Sequence, residues 1–208
     1  GDERRSIAVV LDALSRVHFF AGDLDLARVA NDRAAELVRE QDDPQLAEVV
    51  AGMGASLLVE QDAQRGLAAV EAILHRRVAL GQPVDAYIRT NLALAQLRAG
   101  LPAAVDTARA ALAEAKGDRR LEVLAGDTLS VTLVAAGQWA EALPLAEAAE
   151  KGFRDLQRPI ELPRAVLVRA ACLHHLGDPR AEDALVQAGR CVLAVEGRRH
   201  LARLVDVV

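Results

Sequence analysis

The chain has 208 residues, of which 52% are hydrophobic and only 2% are aromatic. This apolar content excludes a disordered chain, and so few aromatic residues are unusual for a β-sandwich or a β-barrel. The net charge of −5, with no basic stripe, argues against a nucleic-acid partner. No apolar run approaches the roughly 18 residues that span a bilayer, so no membrane contact is expected either.

Between regularly spaced breaks, apolar residues recur at three- and four-residue steps. In the first segment one broad face carries the apolar residues, which is typical of an amphipathic helix: Ile7, Val10, Leu11, Leu14 and Val17. Pro144 lies inside one predicted helix, where we expect a kink or, alternatively, a late helix start. The pattern predicts helices near 3–21, 24–41, 45–60, 63–80, 84–99, 102–116, 119–136, 139–156, 161–176 and 180–196, and the start of an eleventh near 198.

The breaks reveal an internal repeat. Five turn signals follow one another at intervals of 39, 39, 37 and 40 residues. A small residue precedes each turn by seven positions, which lets the paired helices approach closely. These residues are Ser15, Gly54, Ala93, Ser130 and Ala170. A second set of residues follows the turns by five positions, or by four in the last unit: Ala27, Gly66, Val105, Ala142 and Ala181. We call the predicted contact between paired helices at these two sets of residues the seam.

This arrangement resembles the tetratricopeptide repeat family, which sets a small residue in helix A, glycine at the turn and two small residues in helix B. Ala27 and Ala34 match the helix B pair in the first unit, as Ala142 and Ala149 do in the fourth. The units are longer than the usual 34 residues, and such units resemble the helical arms of large bacterial signal-transduction and transcriptional regulators.

The resemblance implies an all-α fold, a right-handed superhelical solenoid of about five antiparallel helix pairs in one domain over residues 1–208. The chain begins without methionine and ends on an unfinished apolar pattern, which we interpret as a segment of a longer protein. The predicted units are 3–41, 45–80, 84–116, 119–156 and 161–196, followed by a partial helix at 198–208. Because that last helix would need a cover, we expect self-association through the C-terminal end.

In this family the A helices line the concave face, which binds the partner. Tyrosine and arginine are common binding anchors, and asparagine both donates and accepts hydrogen bonds. The register therefore predicts a partner-binding face made of Asp12, Arg16, Glu48, Tyr87, Thr90, Asn91, Arg98, Asp127, Thr128, Arg164 and His175.

The sequence therefore predicts a non-enzymatic scaffold that has no cofactor. This scaffold is expected to bind a protein or peptide and to be the sensory or docking region of a larger bacterial regulator. A small-molecule sensor that uses the same face is an alternative. A remote alternative is a metal or redox protein that uses Cys172 and His175, which are i, i+3 neighbours. Because two cysteines are too few for a disulfide framework and residues 1–6 are polar, we expect a cytoplasmic location.

Overall fold

A computed structural model describes residues 2–193 of the chain, and within that range it contains ten α-helices and no β-strand. The helices fall into two compact units, residues 1–83 and residues from 84 onward. Within the described range, no helix combines the length and the apolar character needed to cross a bilayer. The predicted all-α architecture is confirmed, whereas the single-domain organisation stays a prediction.

The first unit contains two antiparallel helix pairs, α1 with α2 and α3 with α4. Helix α3 also packs against both helices of the preceding pair, so each new pair stacks on the one before it. The bounds of these helices are α1 Asp2–Ala21, α2 Leu24–Arg39, α3 Pro44–Gln61 and α4 Ala63–Ala79.

The second unit contains three pairs, in which α7 packs against α5 and α6, and α9 against α7 and α8. Within each unit, the first helix of every later pair therefore contacts both helices of the pair before it. We call the first helix of each pair an A helix and the second a B helix. The bounds are α5 Ala86–Arg98, α6 Ala104–Glu114, α7 Arg119–Ala135, α8 Trp139–Asp155, α9 Leu162–His175 and α10 Ala181–Leu193.

All ten predicted helices are present, and the ends that can be compared agree within two residues. Aspartates mark several starts because their carboxylates accept hydrogen bonds from the first free backbone N–H groups, as Asp43 and Asp62 do. Glycine marks the turns: Gly137 has φ of +71°, which lets the backbone N–H of Gln138 bond the Leu133 carbonyl. The predicted eleventh helix lies outside the described residues.

Small residues bring the paired helices together at the predicted seam. The Ser15 hydroxyl, fully buried on α1, donates a hydrogen bond of 2.8 Å to the carbonyl of Ala27 on α2. In the second pair the closest approach is at Gly66, where an added Cβ would lie 2.4 Å from the backbone of Val59. The prediction for Gly54 is wrong, because that glycine faces Asn31 of the preceding pair and no atom of α4 lies within 4 Å of its Cβ position.

Helix α8 runs through Pro144 without interruption from Trp139, so the alternative of a late helix start is wrong. Pro144 and Ala140 both lie on the exposed side of the helix. Water can therefore bond the Ala140 carbonyl that the proline leaves without a donor. The predicted kink stays a prediction.

We expect Gly66→Ala to lower the free energy of unfolding by about 3 kcal/mol, because its methyl group would meet backbone that cannot move aside. Chemical denaturation measures this change. Gly52→Ala is the matched control: its Cβ meets nothing within 4 Å, so it should be neutral or stabilising by about 0.5–1 kcal/mol. Equal losses for the two variants would contradict the close-contact interpretation.

Candidate functional site

The predicted partner-binding residues of the second unit lie on its three A helices, α5, α7 and α9. Neighbouring A helices contact each other, and among the described residues the B helices make no comparable contact with one another. We call the side of α5, α7 and α9 that carries the predicted residues the inner face. This face contains eight of the eleven predicted residues.

Helix α5 presents the most accessible part of the inner face. Tyr87 is 40% exposed, and Asn91 and Arg98 are half-buried. Thr90 differs, since it is buried and its hydroxyl donates a 2.7 Å hydrogen bond to the Ala86 carbonyl of its own helix. Tyr87, Asn91 and Arg98 therefore keep surface on α5 that a partner could contact.

Helices α7 and α9 are joined by a buried ion pair. Asp127 has no exposed surface, and one of its carboxylate oxygens, Oδ2, accepts hydrogen bonds from Nε of Arg164, at 2.7 Å, and from Nη2. Oδ1 of Asp127 and the hydroxyl of its buried neighbour Thr128 have no hydrogen-bond partner among residues 2–193. Asp127 and Thr128 thus lie inside the packing between helices, and Arg164 is largely taken up by the ion pair.

Burial dominates the electrostatics of Asp127. Removal from water raises the pKa of its carboxyl above the ordinary value of 3.8, although the Arg164 charge and hydrogen bonds act to lower that pKa. Glu161, a nearby negative charge, raises it further. Ionising this carboxyl therefore costs more in the folded chain than in water, even beside an arginine.

The loop between α8 and α9 brings two residues to this cluster that the sequence reasoning missed. Arg158 donates a 2.9 Å hydrogen bond from Nε to Glu161, which raises the pKa of Arg158, and the nearby Tyr87 contributes in the same direction. Arg158 and Glu161 thus link the start of α5 electrostatically to the Asp127–Arg164 pair. The sequence feature that could have identified Arg158 and Glu161 is their three-residue spacing on either side of Pro159.

A residue with unusual backbone geometry precedes Arg158. Gln157 has φ of +52°, whereas all the other described residues with positive φ are glycines. It ends α8 in the same way as Gly137 ends α7, because the backbone N–H of Arg158 bonds the Phe153 carbonyl. The turn that positions Arg158 is therefore built at a conformational cost.

The remaining inner-face residue of this unit, His175, lies at the end of α9. Its exposed imidazole stacks on the indole of Trp139, with ring centroids 3.8 Å apart and an interplanar angle of 11°. Cys172 lies instead in the core with Ala142 and Ala146, and burial raises the pKa of its thiol to about 11. A protonated, buried thiol is a poor nucleophile and a poor metal ligand.

Within residues 2–193, no three His, Cys, Asp or Glu side chains are grouped so that they could hold a metal ion.

In the first unit, the predicted residues form ion pairs within their own helix pairs. Arg16 donates a 2.8 Å hydrogen bond from Nε to the largely buried Asp12, one turn earlier on α1. Glu48 accepts a 2.5 Å hydrogen bond from Nε of Arg77 on α4. For all eleven predicted residues, contact with a partner stays a prediction.

The raised pKa of Asp127 has a testable consequence for stability. Because the unfolded chain releases this proton first, the free energy of unfolding should fall as the pH rises from about 4 through the folded-state pKa of Asp127. Asp127→Asn removes the ionisation. The stability of the wild type minus that of the variant should therefore decrease across this window in denaturation experiments at several pH values.

Asp178→Asn provides a control of opposite sign. Hydrogen bonds from Arg180 lower the pKa of Asp178 to about 2, so this carboxylate stabilises the fold above about pH 4 and the contribution is lost as the pH falls towards 2. If the stability of the wild type minus that of Asp127→Asn also increased with rising pH, burial would not be the dominant effect on the pKa of Asp127.

Gln157→Gly should raise the free energy of unfolding by about 1 kcal/mol, because glycine adopts positive φ without the steric cost of a Cβ. The reciprocal variant, Gly137→Gln, should lower it by about 1–2 kcal/mol in the same turn geometry. Thermal and chemical denaturation measure both. A neutral result for the first and a loss for the second would show that the Gln157 turn is not strained.

No protein-family model matches this chain, and no curated protein is detectably similar to it. Solved structures do match. PlcR of Bacillus thuringiensis, crystallised in complex with the peptide PapR7 and DNA, matches with a TM-score of 0.78 at 14% identity, over 96% of this chain and 74% of the PlcR chain. YrrB, a TPR protein with an unusual peptide-binding site, matches with a TM-score of 0.49 at 15% identity, over 100% of this chain and 95% of its own.

At 14% identity the similarity to PlcR shows the fold alone. Together with the five helix pairs of recurring length, it confirms the predicted all-α architecture. The chain has a helical-repeat fold built from antiparallel helix pairs.

Proposed function

We propose that this chain is a non-enzymatic scaffold that binds a peptide along the inner face of its second unit. The observation that carries the proposal is the line of Tyr87, Asn91 and Arg98 on α5, which combines an aromatic ring, an amide and a guanidinium on one accessible side of a helix. Tyrosine and arginine are enriched among residues that dominate binding energy. An amide can bond both the N–H and the carbonyl of a peptide backbone.

The dimensions of this line suit a short peptide. From Tyr87 to Arg98 the helix rises about 16 Å at about 1.5 Å per residue. An extended peptide of about five residues covers the same distance at about 3.3 Å per residue. Arg158 adds a half-exposed positive charge near Tyr87, which favours a peptide with a carboxylate at that end.

The surroundings of this line support binding without large rearrangement. The buried pair of Asp127 and Arg164 holds α7 to α9 behind the surface, and replacing either partner alone would leave a buried charge unpaired. A face that is already ordered loses little conformational entropy when a ligand binds. The similarity in fold to PlcR, whose structure contains a bound peptide, is consistent with this use of the architecture.

The small-molecule alternative requires an enclosed pocket lined by Tyr87, Asn91 and Arg98. The 40% exposure of Tyr87 favours an open surface instead. The peptide proposal is therefore preferred for this face.

For the wider context, we propose that the chain is the sensory or docking region of a cytoplasmic bacterial regulatory protein, and that this segment itself does not contact nucleic acid. The support is the similarity in fold to PlcR, a protein whose structure contains DNA as well as a peptide, and the net charge of −5 of this chain. The sequence of the intact gene tests whether this chain is part of a regulatory protein. We expect it to encode a DNA-binding or nucleotide-switch domain fused to this segment. A gene that encodes only the repeats would contradict it.

Selection from a library of displayed random peptides tests the peptide proposal. Peptides enriched on the wild-type chain should bind at least about tenfold more weakly to Tyr87→Ala and to Arg98→Ala, because each variant removes an anchor worth about 1.4 kcal/mol or more. Fluorescence anisotropy of the labelled peptides measures the loss, and circular dichroism checks that the variants keep their helices.

Lys116→Ala is the matched control, because Lys116 is an exposed cation of the same unit outside the inner face. Its affinity for the selected peptides should equal that of the wild type. The proposal fails if no peptide is enriched, or if the enriched peptides bind Tyr87→Ala and Arg98→Ala as tightly as the wild type.

A further inference from the structure

Two arginines at the Tyr87 end of the inner face are each held by a carboxylate. Arg158 donates hydrogen bonds from Nε and Nη2 to Glu161. Arg164 donates hydrogen bonds from the same two nitrogens to Asp127. Within residues 2–193, Nη1 of neither arginine forms a hydrogen bond or an ion pair, so each guanidinium keeps two N–H donors for another acceptor.

The two carboxylates are more deeply buried than the two guanidinium groups. Asp127 has no exposed side-chain surface, and the side chain of Glu161 is 10% exposed. The side chains of Arg158 and Arg164 are 44% and 20% exposed. The charge that this end of the face presents to solvent is therefore positive. The burial of Asp127 adds to this effect, because removal from water disfavours its negative form.

The two ion pairs lie at one end of the second unit. Tyr87 and Arg164 each precede the turn glycine after their helix by thirteen residues, so they lie at the same level on α5 and α9. After the hydrogen bond to Glu161, the nearby Tyr87 further raises the pKa of Arg158. After burial, the nearby Glu161 further raises the pKa of Asp127. Because such effects weaken with distance, they place both pairs in one cluster beside Tyr87.

A carboxylate is the group of a peptide that fits these donors. A guanidinium pairs with a carboxylate through two parallel N–H groups, which gives both strength and direction. A linear peptide carries one carboxylate at its C-terminus, and aspartate or glutamate side chains supply the same group within its length. Either source presents two acceptor oxygens to the arginines.

We infer that Arg158 and Arg164 together form a binding site for a carboxylate of the bound peptide. Glu161 and Asp127 orient the two guanidinium groups from the buried side. The inference rests on the proposed function and adds what the peptide must carry at its Tyr87 end. Because the arginines are already held in place, they lose little side-chain entropy when the carboxylate binds.

Peptides selected on the wild-type chain are the probe, taken from a library displayed through the N-terminus so that the C-terminal carboxylate is free. Each peptide is synthesised as the free acid, as the C-terminal amide, and with asparagine or glutamine in place of its acidic residues. Fluorescence anisotropy measures the affinity of each form. Removal of the carboxylate that fills the site should weaken binding to the wild type at least about tenfold, and the form that loses affinity identifies the source.

Two variants test whether these arginines contact the carboxylate. Arg158→Gln removes the charge and the paired N–H groups, whereas Arg164→Lys keeps a cation beside Asp127 and removes only the paired N–H groups. In each variant the complete peptide and its carboxylate-free form should differ by less than about threefold, against about tenfold or more in the wild type. A merely structural defect would weaken both forms equally and leave this ratio unchanged.

Arg154→Gln is the matched control. Arg154 is 48% exposed and donates a 2.8 Å hydrogen bond from Nη2 to the largely buried Glu150, but it lies on α8, outside the inner face. Its ratio of affinities should equal that of the wild type. Circular dichroism checks that all three variants keep their helices.

The outcomes separate the inference from the proposed function. If Tyr87→Ala weakens binding but all forms of the peptide bind the wild type equally, the inference is wrong and the peptide proposal stands. A wild-type ratio in either Arg158→Gln or Arg164→Lys, or a reduced ratio in Arg154→Gln, would also overturn the inference. If no peptide is enriched, the proposed function fails and the inference fails with it.

Discussion

Close contact between paired helices is the constraint on which the rest of the structure depends. At Gly66 the backbone of the neighbouring helix lies where a methyl group would stand, and at Ser15 a hydroxyl reaches directly to the backbone of the partner helix. Helices this close leave no room for aromatic rings between them. The low aromatic content and the many alanines of the core are consequences of this packing.

The same closeness explains the chemistry inside the second unit. When neighbouring A helices contact each other, polar residues on their facing sides lose water, and each then needs a partner within the protein. Thr90 donates its hydrogen bond to a carbonyl of its own helix, whereas Asp127 accepts hydrogen bonds from Arg164 of the next pair. The ion pair only partly offsets the cost of burial, as the raised pKa of Asp127 shows. These residues hold the helices in place, so in the proposed function a peptide is recognised by side chains nearer the surface.

Function in such an architecture depends on where the regular packing stops. On the inner face it stops at the exposed side of α5, with Tyr87 at one end and Arg98 at the other. Each repeat buries its apolar face against a neighbouring repeat, so the side chains that the neighbours leave exposed are the ones available to a partner.

The sequence alone determined the helices, their pairing and most of the seam, because helical periodicity, turn glycines and small residues are local patterns that repeat along the chain. It also predicted which residues of the A helices would face a partner, and contact with a partner stays a prediction. Only the tertiary structure decided which of them are accessible: Asp127 and Thr128 are buried while Tyr87 is exposed, although all three fit the same register. Exposure depends on how closely successive helices approach, and that distance follows from side chains far apart in the sequence. For the same reason Gly54 faces Asn31 rather than α4, and Arg158 joins the cluster from a loop.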